Sequence, residues 1–285
     1  MIKIKERVRK GSSTGFAILT VLIIAVGWRL RGYELITAER GVGYVCGIIG
    51  FVLMSILLLY PLRKRVRALE MIGGVKTWFR IHMLLGIIGP VFILYHCNFQ
   101  VGSFNSNVAL FSMVIVSVSG IFGRFFYARI HHGLYGQRAT LVDLRRQLEE
   151  QKEELSPQLD LVPGLREKLF AYSDRVIDPP RTLGESIRRR ALTDWQVLRV
   201  KWTASRLAQR SLAESSAKHH WSDKRLRQMN WQMRRKSDQL IRQTRKVAEF
   251  GFYERLFVLW HIFHIPLVYM LFIAAVIHIV AVHLY

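Results

Sequence analysis

Cysteine is nearly absent. Cys46 and Cys97 are the only two in 285 residues, and both fall in or beside apolar runs. A disulfide-built secreted domain is therefore excluded. The lack of any CxxC pair also excludes zinc ribbons, Cys-ligated iron–sulfur clusters and covalent c-type haem attachment. Acidic residues are scarce, 20 Asp and Glu against 42 Lys and Arg, for a net charge of +22. Glycine is thin through the charged middle of the chain, with Gly133, Gly136, Gly164 and Gly184 before Gly251. No GxGxxG and no strand–helix alternation occurs there, so the chain has nothing with which to build a dinucleotide fold.

What is abundant is hydrophobic sequence, 51% of residues, segregated from the charge. It lies in runs at 16–28, 41–60, 81–99, 108–127 and 256–285. A bilayer-spanning helix needs about 20 mainly apolar residues, which predicts five spans. The first is the shortest, and its basic start resembles a signal peptide, but Gly27-Trp28-Arg29 is a poor cleavage site and the span is read as retained. The expectation is an all-α membrane protein with transmembrane helices 1–4 in residues 1–130. A basic helical insert follows in 131–250, and a fifth span in 251–285. Basic residues cluster at Lys3, Lys5, Arg7, Arg9 and Lys10, and again at Arg63, Lys64, Arg65, Arg67, Lys76 and Arg80. The loop from Asn98 to Asn107 has no charge. The positive-inside rule then places the N-terminus and the insert in the cytoplasm and the C-terminus outside.

The insert carries 25 Lys and Arg against 15 Asp and Glu. Leu141, Leu144, Leu148 and Leu155 recur at a helical period among alternating charges. Pro157, Pro163-Gly164 and Pro179-Pro180 are expected to divide the segment, with further helices over 186–217 and 222–250. Trp195, Trp202, Trp221 and Trp231 are spaced for helix packing. A helical hairpin or small bundle is predicted. Its charge suits an anionic membrane surface or an acidic partner better than nucleic acid, which the tether to the membrane disfavours.

Six of the ten histidines lie in two spans. His82 and His96 are 14 residues apart in span three, and His264 and His278 are 14 apart in span five. Fourteen residues return to within about 40° of the starting direction and rise about 21 Å, so each pair shares a face and reaches both edges of the hydrocarbon. Spans three and five run parallel, which sets His82 level with His264 and His96 level with His278. Two cross-helix imidazole pairs at two depths suit two stacked haems with bis-histidine iron. Gly86 and Gly89, between the span-three histidines, would leave room for a porphyrin. Arg80 and Arg124 are candidates for the propionates. His261 is the alternative to His264. Opposed pairs this far apart cannot surround a single divalent ion.

This arrangement resembles the di-haem four-helix cytochrome b core, shared by quinol–cytochrome c reductases and by ferric-reductase-like and NADPH-oxidase-like membrane domains. The likeness covers residues 41–127 and 252–285. The stretch Trp260-His261-Ile262-Phe263-His264-Ile265-Pro266-Leu267, followed by His278, is similar to the last haem-ligating helix of bacterial membrane cytochromes of this type. The resemblance implies two haem b groups, His82 and His264 holding the inner and His96 and His278 the outer. It implies an electron-transfer subunit of an inner-membrane redox complex. Its partners would be other subunits, a quinone pool or cytoplasmic-side donor, and an outer acceptor such as a periplasmic electron carrier. The long insert is foreign to these cores. Two other readings stay open: a haem-free membrane anchor that recruits a soluble assembly, and a metal reductase fed by a separate flavoprotein.

Overall fold

A computed structural model describes residues 2–33, 35–63, 66, 73–131, 141–178, 180 and 182–284, the side chains of 2–14, 75, 76 and 131 excepted. The basic side chains of the N-terminus, Lys64, Arg65, Arg67, the side chain of Lys76, His132 and Pro179 thus lie outside the described residues. Among the described residues the chain is helical, without strands; the one β-bridge is an isolated Thr37–Arg40 pair. In order, the helices are α1 (Ile2–Leu30), α2 (Gly41–Ile56), α3 (Leu59–Arg63), α4 (Val75–His96), α5 (Phe104–His131), α6 (Leu141–Leu159), α7 (Leu165–Ile177), α8 (Leu183–His219) and α9 (Asp223–Leu284). A short 3-10 turn, Arg31–Tyr33, follows α1.

Five stretches are long and apolar enough to cross a membrane: Gly15–Tyr33, Gly41–Arg63, Thr77–His96, Phe104–Ile130 and a part of Asp223–Leu284. Ile18, Val21, Val52, Ile115, Val118, Ile273 and Val280 stay exposed on them. An apolar surface this extensive on several helices is what hydrocarbon, not water, covers. By internal contacts the chain divides into two units, residues 1–124 with 260–285, and residues 125–259. The expected border at 250/251 falls inside α9, which runs through Gly251, and that at 130/131 falls at the last residue of α5.

Within the first unit the closest helix pairing is α2 on α4. It is made possible by glycine. A Cβ on Gly50 would come 2.7 Å from Ile93 Cδ1, and one on Gly89 would come 2.9 Å from Met54 Cγ. Small residues at such a seam let backbones approach where no hydrophobic drive separates helix from lipid.

The second unit is a helical bundle with a continuous apolar core built from Leu144, Leu148, Leu155, Leu159, Leu165, Leu169, Leu212, Met233, Leu240 and Val247. Along α8 the buried residues Ser186, Thr193, Val197, Ala204 and Ala208 alternate steps of seven and four, a stripe of the width that faces a partner helix. Thr182 caps α8 by accepting the Glu185 N–H (3.2 Å), and His220 ends it with φ 50°. Three ion pairs then join α8 to the first half of α9: Arg190–Glu249 (3.3 Å), Asp194–Arg245 (2.9 Å) and Lys201–Asp238 (2.9 Å). All three are centred on the turn at 219–220, which defines an antiparallel hairpin in a single register.

Two sequence expectations are corrected here. Pro157 does not divide the insert; it lies in the last turn of α6, where only two helical residues follow it, and the chain reverses at Pro163-Gly164, with Gly164 at φ 73°. The tryptophans do not all pack helices. Trp195, Trp202 and Trp231 are exposed, and only Trp221 lies against the core. Each indole is covered by the arginine four residues on: Arg199, Arg206, Arg225 and Arg235, with Arg206 only 3.8 Å from the Trp202 ring centre. Trp195 and Trp202 sit on the side of α8 opposite its buried stripe, so helical geometry turns them outward.

Polar groups inside this core are paired across helices. Thr244 Oγ1 donates to Ser173 Oγ at 3.2 Å, both fully buried. The Lys152 ammonium, 2.6 Å from Asp174 and 3.0 Å from Glu149, loses hydration by burial, but its two carboxylate partners outweigh that loss and raise its pKa. Gln151 and Tyr172 are exceptions: Gln151 Oε1 and the Tyr172 hydroxyl are buried without a partner, and burial pushes the Tyr172 pKa up to about 12 despite the opposing charge of Arg245. The folded state then holds this proton where the unfolded chain has lost it, so stability present below pH 10 drains away as pH rises toward 12. Thermal melts of the full chain in detergent should fall more steeply between pH 9 and 11 for the native protein than for Tyr172→Phe. Parallel pH profiles for the two would show that the phenol does not titrate with unfolding.

Candidate functional site

The span-three histidines lie on α4, His82 near its start and His96 as its last residue. His264 and His278 lie on the apolar part of α9. His264 lies within electrostatic range of both His82 and His261, and His278 within range of His96.

Each ring is held by a neighbouring helix. His96 Nδ1 lies 2.9 Å from the Gly43 carbonyl of α2. A carbonyl only accepts, so Nδ1 carries the hydrogen and the neutral ring leaves the Nε2 lone pair open. Gly47 makes the approach possible, since a Cβ there would come 2.7 Å from His96 Nδ1. His264 Nδ1 lies 2.5 Å from Ser119 Oγ on α5. Ser119 Oγ also lies 3.0 Å from the Val116 carbonyl of its own helix. With its hydrogen on that carbonyl the hydroxyl accepts from His264 Nδ1, and Nε2 is then the free nitrogen. His278 Nδ1 meets Ser106 Oγ, also on α5, at 3.3 Å. His82 differs. Its ring packs 5.1 Å from that of Tyr60, and its Nδ1 is buried with no hydrogen-bond partner.

Trp260 reinforces the His264 position. One turn earlier on α9, its indole N–H donates to the Ser119 carbonyl at 2.7 Å and its ring stacks on His264 at 4.7 Å. The indole fits because residue 123 is glycine; a Cβ there would collide with Trp260. His261 lies edge-on to Trp260 at 4.6 Å and within electrostatic range of His264.

Gly86 faces open space, with nothing within 4 Å of where a Cβ would stand. Gly89 does not: it serves the α2–α4 seam against Met54. Arg80 and Arg124 are exposed. Among the described residues no three His, Cys, Asp or Glu side chains gather as a metal shell. A bare divalent cation, which wants three or four protein ligands, is thus poorly served. Haem asks the protein for two axial ligands only, which is the number that each histidine pair offers.

Ser106, Ser119, Gly47 and Gly123 were not singled out from sequence. The one signal that pointed to them is position: all lie on the two spans that flank the histidine-bearing ones. No family model, curated protein or solved structure matches this chain. The chain stands on its own geometry.

If Gly47 is small because the His96 ring occupies its place, Gly47→Ala will lower stability by about 1–3 kcal/mol through overpacking. The loss should shrink by at least half in a His96→Ala background, read from melting temperatures of all four proteins in one detergent. Additive losses would place the ring elsewhere.

Proposed function

We propose that this protein is a di-haem b-type membrane cytochrome, which passes electrons across a bacterial-type inner membrane as a subunit of a redox complex. The observation that carries the reading is the state of the imidazoles. On two different spans, His96 and His264 each have Nδ1 within hydrogen-bond distance of an oxygen on a neighbouring span, the Gly43 carbonyl and Ser119 Oγ. Metal-ligating histidines adopt such a fixed orientation, one nitrogen being anchored by an outer partner. The open space beside Gly86 adds to it.

In this reading His82 and His264 serve the inner haem and His96 and His278 the outer. Bis-imidazole iron supplies one-electron carriage with no open coordination position. The rest is done by the chain's own residues. The Gly43 carbonyl and the Ser119 and Ser106 hydroxyls orient the rings, and the Gly43 carbonyl keeps Nδ1 of His96 protonated. Gly86 leaves clearance, and Arg80 and Arg124 offer cations to the propionates. With no dinucleotide fold in the insert, electrons come from a quinol or another subunit and leave to an outer acceptor such as a periplasmic carrier.

One observation favours the competing reading of a haem-free anchor: the hydrogen bonds of His96, His264 and His278 satisfy these rings in part without iron. Haem content separates the two. Full-length protein purified in detergent from haem-replete cells should yield about two b-type haems per chain by pyridine haemochrome, with a low-spin reduced-minus-oxidised spectrum. His82→Ala or His264→Ala should each remove one haem, and His96→Ala or His278→Ala the other. A folded preparation without haem sinks the proposal, and haem lost in His261→Ala but kept in His264→Ala would reassign the ligand.

A further inference from the structure

A cavity of about 320 Å³ opens in the insert among the start of α6, the end of α7, the first turns of α8 and residues 247–255 of α9. That is within the size range of small-ligand sites. Its lining is arginine-rich: Arg145, Arg175, Arg188, Arg189, Arg190 and Arg255, against three acids, Asp178, Glu185 and Glu249. Two of the six are neutralised internally. Arg189 grips Glu185 through Nε (3.0 Å) and Nη2 (2.5 Å), and Arg190 reaches Glu249, which Arg245 also holds. Arg189 also donates to the carbonyls of Asp178 (2.8 Å) and Arg175 (3.3 Å), which fastens the end of α7 to α8. Arg255 donates to the Pro180 carbonyl at 2.6 Å, which fixes its guanidinium without cancelling its charge. Arg175 and Arg188 are exposed and form no ion pair among the described residues. The cavity thus keeps a surplus of three positive charges, with guanidiniums held on a frame of carbonyls and carboxylates. Val176, Ile177, Val247 and Phe252 give it an apolar wall.

We propose that this cavity binds a phosphate-bearing anion, with Arg175 and Arg188 as the ligating cations, Arg255 as a preset third, and the apolar wall taking the hydrocarbon part of the ligand. Guanidinium forks match phosphate oxygens in pairs, which a lysine ammonium does not. The same chemistry can come from an anionic lipid headgroup or from a soluble phosphate compound. Phe252 and Arg255 lie within four residues of the apolar run that starts at Leu256. Headgroup phosphates concentrate at that edge of a membrane span, where basic pockets collect them. The inference does not depend on haem, and none of its readouts involves haem.

The test uses the full-length protein in neutral detergent. Phosphatidylglycerol retention is measured by native mass spectrometry, and inorganic pyrophosphate binding by calorimetry. The cavity variant is Arg175→Gln/Arg188→Gln; the charge-matched control is Arg227→Gln/Arg234→Gln, two exposed cations outside the cavity. Melting temperatures check that all three proteins are folded. The native protein should bind one of the probes saturably, and the cavity variant should weaken it about tenfold or more, as expected for two lost charge-assisted contacts. The control should stay within about twofold of the native protein by the same reasoning. Lipid binding without pyrophosphate binding identifies a headgroup site; pyrophosphate binding that displaces lipid identifies a soluble phosphate ligand. No saturable binding of either probe, or an equal loss in the control, overturns the proposal.

Discussion

An imidazole inside hydrocarbon must find its partners within the protein, because no water will supply them. Much of the first unit follows from that constraint. The rings of His96, His264 and His278 each point one nitrogen at a carbonyl or hydroxyl of a neighbouring span, and the supporting helices are shaped to let them do so. Gly47 is small because a ring occupies its side-chain volume, and Gly123 is small because the indole that backs His264 occupies its own. The glycine seam between α2 and α4 carries the carbonyl that holds His96. Serine on α5 has a double duty: Ser119 Oγ reaches both the Val116 carbonyl of its own helix and Nδ1 of His264, so one hydroxyl serves the helix turn and the ring.

The helical class and the five apolar stretches were legible in the sequence, as was the shared face of each histidine pair, because each rests on a period. Runs of about 20 residues measure a bilayer, and a spacing of 14 returns a residue to its own helix face. What supports the rings was not legible. A serine in a transmembrane run such as Ser119 looks the same whether it bonds only its own helix or also a neighbour, and glycines look alike whether they adjoin a ring, an indole or another backbone. Gly86 and Gly89 make the point, three residues apart on one helix: one faces open space, and the other lies in the α2–α4 seam. These distinctions depend on rotation about the helix axis relative to a partner, and a single sequence carries no such angle.

The insert shows the complementary case. Part of its core could be read from the spacing of Leu141, Leu144, Leu148 and Leu155, but the tryptophans misled, since an indole suits a core and a surface alike. In α8 and α9 the deciding element is the arginine four residues later, which lies over the exposed ring. Arginine outnumbers lysine in the insert by 18 to 7. Stacking and bidentate pairing both ask for the planar head group, and the same preference furnishes the cavity between α7, α8 and α9.

The three ion pairs centred on the turn at 219–220 give the hairpin a form of modularity. Adding one heptad to each arm would insert a matching rung of charge and apolar residues while leaving every existing pair opposite its partner. The hairpin could lengthen or shorten in steps of about 10 Å without remaking its turn or its base. A single-residue insertion in one arm would instead turn every more distant side chain on that arm by about 100°, exposing the core stripe. Lengths that differ by whole heptads in both arms at once are the ones this architecture tolerates.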